Sequence, residues 1–138
     1  MGQNLKQTID NFLNNAVLTK NKYGFTFVNI IHTNRNMRKE ENNQSFRNSN
    51  IYPTTDDTKD SGNPGENSDV FITMFNPNDE KYGIKKYMGK DLRGICNNKE
   101  VLLYPNLRTL HIVQNRDGEA PKHFFTSMEG KTFKKLQI

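Results

Sequence analysis

The chain has no tryptophan and a single cysteine, Cys96, in 138 residues. One thiol excludes an internal disulfide and any zinc site built from several cysteines. Apolar residues are scarce as well, at 33%, and the mean hydropathy is −0.90. Both values are low for a chain that must bury a core of its own. No apolar run approaches the length of a membrane span, and the N-terminal MGQNLKQTID carries no signal-type apolar stretch. Met1-Gly2 meets the myristoylation pattern only in part, because Lys6 stands where that pattern has serine or threonine. The expectation is a protein of the reducing cytoplasm with no membrane partner.

Asparagine and lysine are what the chain has in excess. Twenty basic residues stand against 15 acidic ones, a net charge of +5. A basic balance suits a polyanionic partner, but the two signs are interspersed, so charge alone makes a modest case. Leu5, Ile9, Phe12, Leu13, Ala16 and Val17 recur at spacings of three and four, which puts one apolar stripe on a helix over 4–20. Gly24 sits where a helix C-cap wants glycine. Phe25 to Ile31 follows as a nearly continuous apolar and β-branched run, the pattern of a strand buried on both faces, as in a parallel sheet.

Residues 33–68 are polar, a long connection of the kind that is either functional or without order of its own. Asp69 to Phe75 is a second buried-type strand, stopped by Asn76-Pro77. From Asn78 to Glu100 the chain is polar, with a short helix suggested over Ile84 to Met88. Leu107 to Val113 alternates with Arg108, Thr109 and His111 in a strand-like way, and Asp117-Gly118 is a strong turn dipeptide. His123 to Met128 leads back as a strand, and Glu129-Gly130-Lys131 turns into Thr132 to Leu136. The last third therefore reads as an antiparallel meander.

Four pieces in order carry a resemblance. They are the helix and strand ending in IIHTNRN; the P-x-x-x-D-x-x-x-S-G stretch from Pro53 to Gly62, which runs into SDVFITMF; the segment LHIVQNRDG; and a closing strand pair that carries Phe133. Together, from about Leu5 to Leu136, they resemble the C-terminal half of the motor domain of DnaB-type replicative DNA helicases. The resemblance implies an α/β fold: a partial RecA-like three-layer arrangement of mostly parallel buried strands, with an N-terminal helix and an antiparallel C-terminal meander. It also implies ATP and Mg2+ as cofactors, single-stranded DNA as partner, and a homo-oligomeric, hexameric ring. The asparagine and lysine usage is what an AT-rich genome produces and is consistent with a phage or mobile-element source.

The resemblance also assigns roles to residues. His32, just past the end of the first buried run, matches the sensor of the nucleotide γ-phosphate, a place where imidazole can donate to a phosphate oxygen. Asn34-Arg35 follows it as in the family, and Arg35 is grouped with the DNA contacts. Lys59, Asp60 and Gly62 align with the loop that grips single-stranded DNA through a basic side chain and backbone N–H groups. Asn63-Pro64-Gly65 departs from the family's continuation there, and Asp56, Asp57 and Asp60 make the loop locally acidic. Arg116, at the tip of a strand–turn–strand, matches the arginine finger that neutralises charge on a transferred phosphoryl group. Gln114 occupies the nucleotide-facing position where the family carries a second cation, and Lys122 across the hairpin replaces that charge only in part.

The family's nucleotide cradle is missing. There is no G-x-x-x-x-G-K-[ST] loop, and no apolar strand ending in aspartate precedes Leu5. On this reading the chain does not hydrolyse ATP by itself and needs a companion chain, or an N-terminal half, that carries the P-loop. The alternative is a non-catalytic DNA-binding or structural protein derived from such a domain. A small basic binding protein of unrelated origin also remains open.

Overall fold

The computed structural model describes residues 4–32, 51–58 and 63–138. Helix α1 runs from Leu5 to Tyr23. Asn4 caps it: its side chain accepts from the Gln7 amide at 2.9 Å, and the Gln7 side chain accepts from the Asn4 amide at 3.2 Å. This reciprocal pair satisfies two donors that a helix start otherwise leaves open. Gly24 ends the helix in the left-handed region at φ 71°, its N–H bonded to the Lys20 carbonyl. Only Leu13 and Ala16 of the apolar stripe are buried, while Leu5, Phe12 and Leu18 stay more than half exposed. The periodicity is right, and the cover over it is thin.

Two short helical turns follow in the middle of the chain, a 3-10 turn at Thr55–Asp57 and α2 at Asn63–Asn67. The main sheet consists of β1 (Val70–Phe75), β6 (Leu107–Asn115), β7 (Lys122–Glu129) and β8 (Thr132–Lys135), in the order β1-β6-β7-β8. Between β1 and β6 lie β2 (Lys86–Tyr87) paired with β3 (Lys90–Asp91), and β4 (Arg93–Cys96) paired with β5 (Lys99–Leu102). Asn97 and Asn98, at φ 50° and 59°, form the two-residue loop of the β4–β5 hairpin. Two positive φ values in a row are what the strand twist demands there, and asparagine tolerates them.

Every pairing in the main sheet is antiparallel. The expected RecA-like three-layer fold with mostly parallel strands is therefore overturned. Two physical reasons stand behind the correction. Parallel neighbours need a crossover, usually a helix, and residues 76–106 hold two small hairpins instead. The run VFITMF is also not buried on both faces: Thr73 and Phe75 are each 5% exposed, whereas Val70, Ile72 and Met74 are 48–58% exposed. An unbroken apolar run thus sits in a one-sided strand. Phe25 to Ile31 forms no strand; it is irregular, with Val28 and Ile30 almost fully exposed. Nor is there a helix over Ile84 to Met88, where Ile84 is buried and the chain turns through Met88 and Gly89, both at positive φ.

The core lies on one face of the sheet. Phe75 and Leu107 project from β1 and β6 against Ile84, Tyr87 and Leu92 of the β2–β3 excursion. Ile51, Tyr82, Tyr104, Phe125 and Leu136 pack around that centre. Leu107 has no exposed surface and sits where sheet and excursion meet. Leu107→Ala is expected to cost about 2–5 kcal/mol, read as a lower urea midpoint with an unchanged slope. A loss under roughly 1 kcal/mol would mean that the excursion collapses into the space left behind.

Candidate functional site

Two assemblies of polar side chains stand out, one exposed and one buried. The exposed one forms where the β6–β7 hairpin meets the end of the polar loop. The Arg116 amide donates to the Asp69 carbonyl at 2.9 Å, and its guanidinium donates to the Glu66 carbonyl at 2.5 Å. The same guanidinium lies 3.6 Å from the Asp69 carboxylate. Lys20, from the last turn of α1, closes on the other oxygen of that carboxylate. Two positions earlier, the Gln114 amide donates to the Ser68 carbonyl at 2.6 Å. One carboxylate thus holds two cations, and the Lys20 hydrogen bond, ahead of the charge of Arg116, keeps its pKa below the usual range.

A cleft of about 500 Å3 opens beside this junction. Its walls are Leu13, Ala16 and Lys20 of α1, the irregular segment 25–29, and residues 67–70 with Ile72. The residues picked out in the sequence fall into three groups. Arg116 and Gln114 come together on the hairpin, against the residues that follow the loop. His32 ends its segment exposed and is not among the side chains that line the cleft. Arg35, Lys59, Asp60 and Gly62 lie outside the described residues. Lys122 is turned to Glu119 at 3.1 Å rather than to Arg116. Among the described residues no group of three His, Cys, Asp or Glu side chains could hold a metal ion.

The buried assembly centres on His111, which is 2% exposed. Its Nε2 is 3.1 Å from the Tyr87 hydroxyl and 3.0 Å from the Thr109 hydroxyl. Tyr87 spends its own proton on the Ile51 carbonyl at 2.8 Å, and Thr109 spends its proton on the Phe75 carbonyl at 3.2 Å. Both hydroxyls are then left as acceptors, so Nε2 must carry the hydrogen. Tyr52 stacks flat on the ring at 4.2 Å. The alternation over 107–113 marks a strand but assigns His111 no place in the core, and nothing in the sequence signals that Tyr52 and Tyr87 meet it there.

No family model, curated protein or solved structure matches the chain.

Burial pushes His111 down to about 4 from the ordinary 6.5, with a smaller contribution from the charge of His123. Burial likewise pushes the Tyr87 hydroxyl up. Both groups are therefore neutral in the fold at neutral pH and tie the chain together rather than react. The sign of the pH effect follows. Above 6.5 neither folded nor unfolded chain protonates His111, and the neutral ring costs nothing. Below 6.5 the unfolded chain takes up a proton that the fold refuses, so stability falls as pH drops toward about 4. The slope approaches about 1.4 kcal/mol per pH unit. Urea midpoints taken across this window should fall in the native chain and stay flatter in His111→Gln; equal slopes would place the titration elsewhere.

Proposed function

We propose that the chain is a segment of a DnaB-type replicative helicase motor, acting on single-stranded DNA with a nucleotide-bearing partner in a cytoplasmic ring. The junction at Asp69 is the observation that carries this reading. Gln114 and Arg116 are bonded to Glu66, Ser68 and Asp69, the residues that follow directly on the Pro53–Gly62 stretch. A pull on that loop by a bound DNA strand reaches the hairpin through these bonds. The arginine at the hairpin tip then shifts with it. Such a link is what a translocating motor needs between its grip on DNA and its phosphate chemistry.

The roles divide by what each residue can reach. Lys59 supplies the cation, and the backbone around Asp60 and Gly62 the N–H groups, for a sequence-independent grip on phosphates. Arg35 adds a second cation to that grip. Arg116 neutralises charge on the transferred phosphoryl group of a neighbour's nucleotide, with Gln114 as a neutral donor beside it. His32 senses the γ-phosphate. ATP and Mg2+ are held by a partner chain or by an N-terminal half, because these 138 residues contain neither a P-loop nor a Walker B strand.

A second reading, a non-catalytic DNA-binding or structural protein, is favoured by one detail. The guanidinium of Arg116 is already engaged by Asp69 and by the Glu66 carbonyl, whereas a finger has to be free to cross to a neighbour. Mixing the chain with a P-loop-bearing partner and measuring DNA-stimulated ATP hydrolysis separates the two. Arg116→Ala should lower the rate by about a thousandfold or more if Arg116 is a finger. An unchanged rate, with single-stranded DNA binding still weakened by salt and by Lys59→Ala, leaves the binding reading alone. No DNA binding under any salt condition removes both.

A further inference from the structure

The two faces of the main sheet carry different chemistry. On the core face the register aligns Leu107, Thr109 and His111 of β6 with Ser127, Phe125 and His123 of β7. The alternate residues turn the other way and form an open face, where Met128 and Phe133 are 38% and 46% exposed. At the β1 end of the sheet, α1 and residues 25–29 stand across a cleft from Val70 and Ile72. The β7–β8 end has its own pattern, which the register sets out in rows across the strands. Leu110 of β6 lies beside Phe124 of β7. One row further, Arg108 lies beside Thr126, and Thr126 beside Lys135 of β8. In the next row Met128 lies beside Phe133. Successive rows are about 7 Å apart, two residues along a strand. A cationic row thus has a phenylalanine ring on either side.

The charges in that row are unspent. Among the described residues the Arg108 guanidinium bonds only to the Leu107 carbonyl, through Nη1 at 2.7 Å. Neither Arg108 nor Lys135 has a carboxylate partner there. The one carboxylate in the four strands, Glu129, alternates with Ser127 onto the core side and is held by Lys134 at 2.7 Å. Thr126, 6% exposed, donates its hydroxyl to the Arg108 carbonyl at 2.8 Å, which fixes its place between the two cations.

We propose that this face binds single-stranded nucleic acid, with Phe124 and Phe133 each stacking a base and Arg108 and Lys135 holding the phosphate between them. A single strand offers its groups in the same order, base, phosphate, base, and stacking accepts any base. A duplex keeps the faces of its bases covered. An apolar protein surface laid on these rows would bury both cations without a counter-charge, which is costly; a phosphodiester supplies that charge. The net charge of +5 favours the encounter. None of the residues given a helicase role takes part, so the site stands without that reading.

The chain has no tryptophan, so Phe133→Trp in the full chain puts a single fluorescent reporter on this face and keeps a ring that can stack. Its emission should be quenched by dT and rU decamers at low salt, and far less by a duplex. The two decamers tell DNA from RNA, and quenching by either supports the site. Anisotropy of a labelled decamer should show binding about tenfold weaker in Phe124→Ala and in Phe133→Ala, each checked for folding by circular dichroism. Arg108→Gln and Lys135→Gln should each flatten the dependence of log K on log salt by roughly 0.7. Lys99→Gln, an equal loss of charge on β5, should leave that slope unchanged. The proposal is overturned if neither decamer binds, or if a decamer binds and leaves the tryptophan emission unmoved. It is also overturned if Lys99→Gln flattens the slope as much as the sheet variants do, or if a duplex binds as tightly as a single strand. Quenching by anionic phospholipid vesicles and not by the decamers would make the face a membrane surface instead.

Discussion

One hydrogen on His111 Nε2 holds together parts of the chain that are far apart in sequence. Through Tyr87 it reaches the β2 strand and the Ile51 carbonyl, and through Thr109 it reaches the end of β1 at the Phe75 carbonyl. Each hydroxyl has a single proton and gives it to a carbonyl, so the imidazole is the only donor left for both. Were the ring to lose that donor, two buried oxygens would lose a partner at once, and a buried polar atom without a partner costs about 1–3 kcal/mol. The residues around it follow from this need. Tyr52 covers the flat face of the ring, Thr73 fastens the Tyr52–Pro53 segment by donating to the Pro53 carbonyl at 2.9 Å, and Phe75 packs on Tyr87. The arm at 51–58 lies on the sheet because this polar centre needs a roof.

A polar centre also accounts for how so few apolar residues suffice. On the core face the buried set mixes Phe75, Ile84, Tyr87, Leu92 and Leu107 with Thr73, Thr109, His111 and Ser127. Only one face of the sheet is closed in this way. The other face keeps Ile72, Met74, Met128 and Phe133 between 38% and 58% exposed. A chain with 33% apolar content lines one face thoroughly and, among the described residues, leaves the second largely uncovered.

That one-sidedness explains which features could be read from the sequence. Helix α1 was legible because a three-and-four spacing and a following glycine act locally, whatever packs above them. β6, β7 and β8 were legible as strands for the same reason, through alternation and turn dipeptides, and β1 through an apolar run stopped by Asn76-Pro77. Strand direction was not, because direction depends on what the connection does. Residues 76–106 carry no local signal that separates a crossover helix from two small hairpins folded over the core. Phe25 to Ile31 misled for a related reason. Its composition asks for burial, yet the segment pairs with no strand among the described residues and only lines the cleft beside β1. The His111 centre was not legible: the strand that carries it was, but the tyrosines that complete it come from 24 and 59 residues earlier in the chain.

The antiparallel sheet changes what the assigned residues can do more than it changes which residues they are. A phosphate sensor works when the strand behind it moves as a rigid body, and His32 has an irregular, exposed segment behind it instead. Arg116 is placed differently. It leaves the end of β6, which pairs with β1 as far as Asn115 but with β7 only as far as Ile112. The base of the hairpin is held by the ladder whichever way its neighbours run, and Arg116 itself is held by its bonds to Glu66 and Asp69. The same ladder brings Gln114 and Arg116 onto the carbonyls of Glu66 and Ser68 and the carboxylate of Asp69. The hairpin tip and its ties to residues 66–69 are features of the fold, while the helicase roles given to them rest on the resemblance alone. The one that depends on a parallel strand end at His32 needs an added strand to supply it.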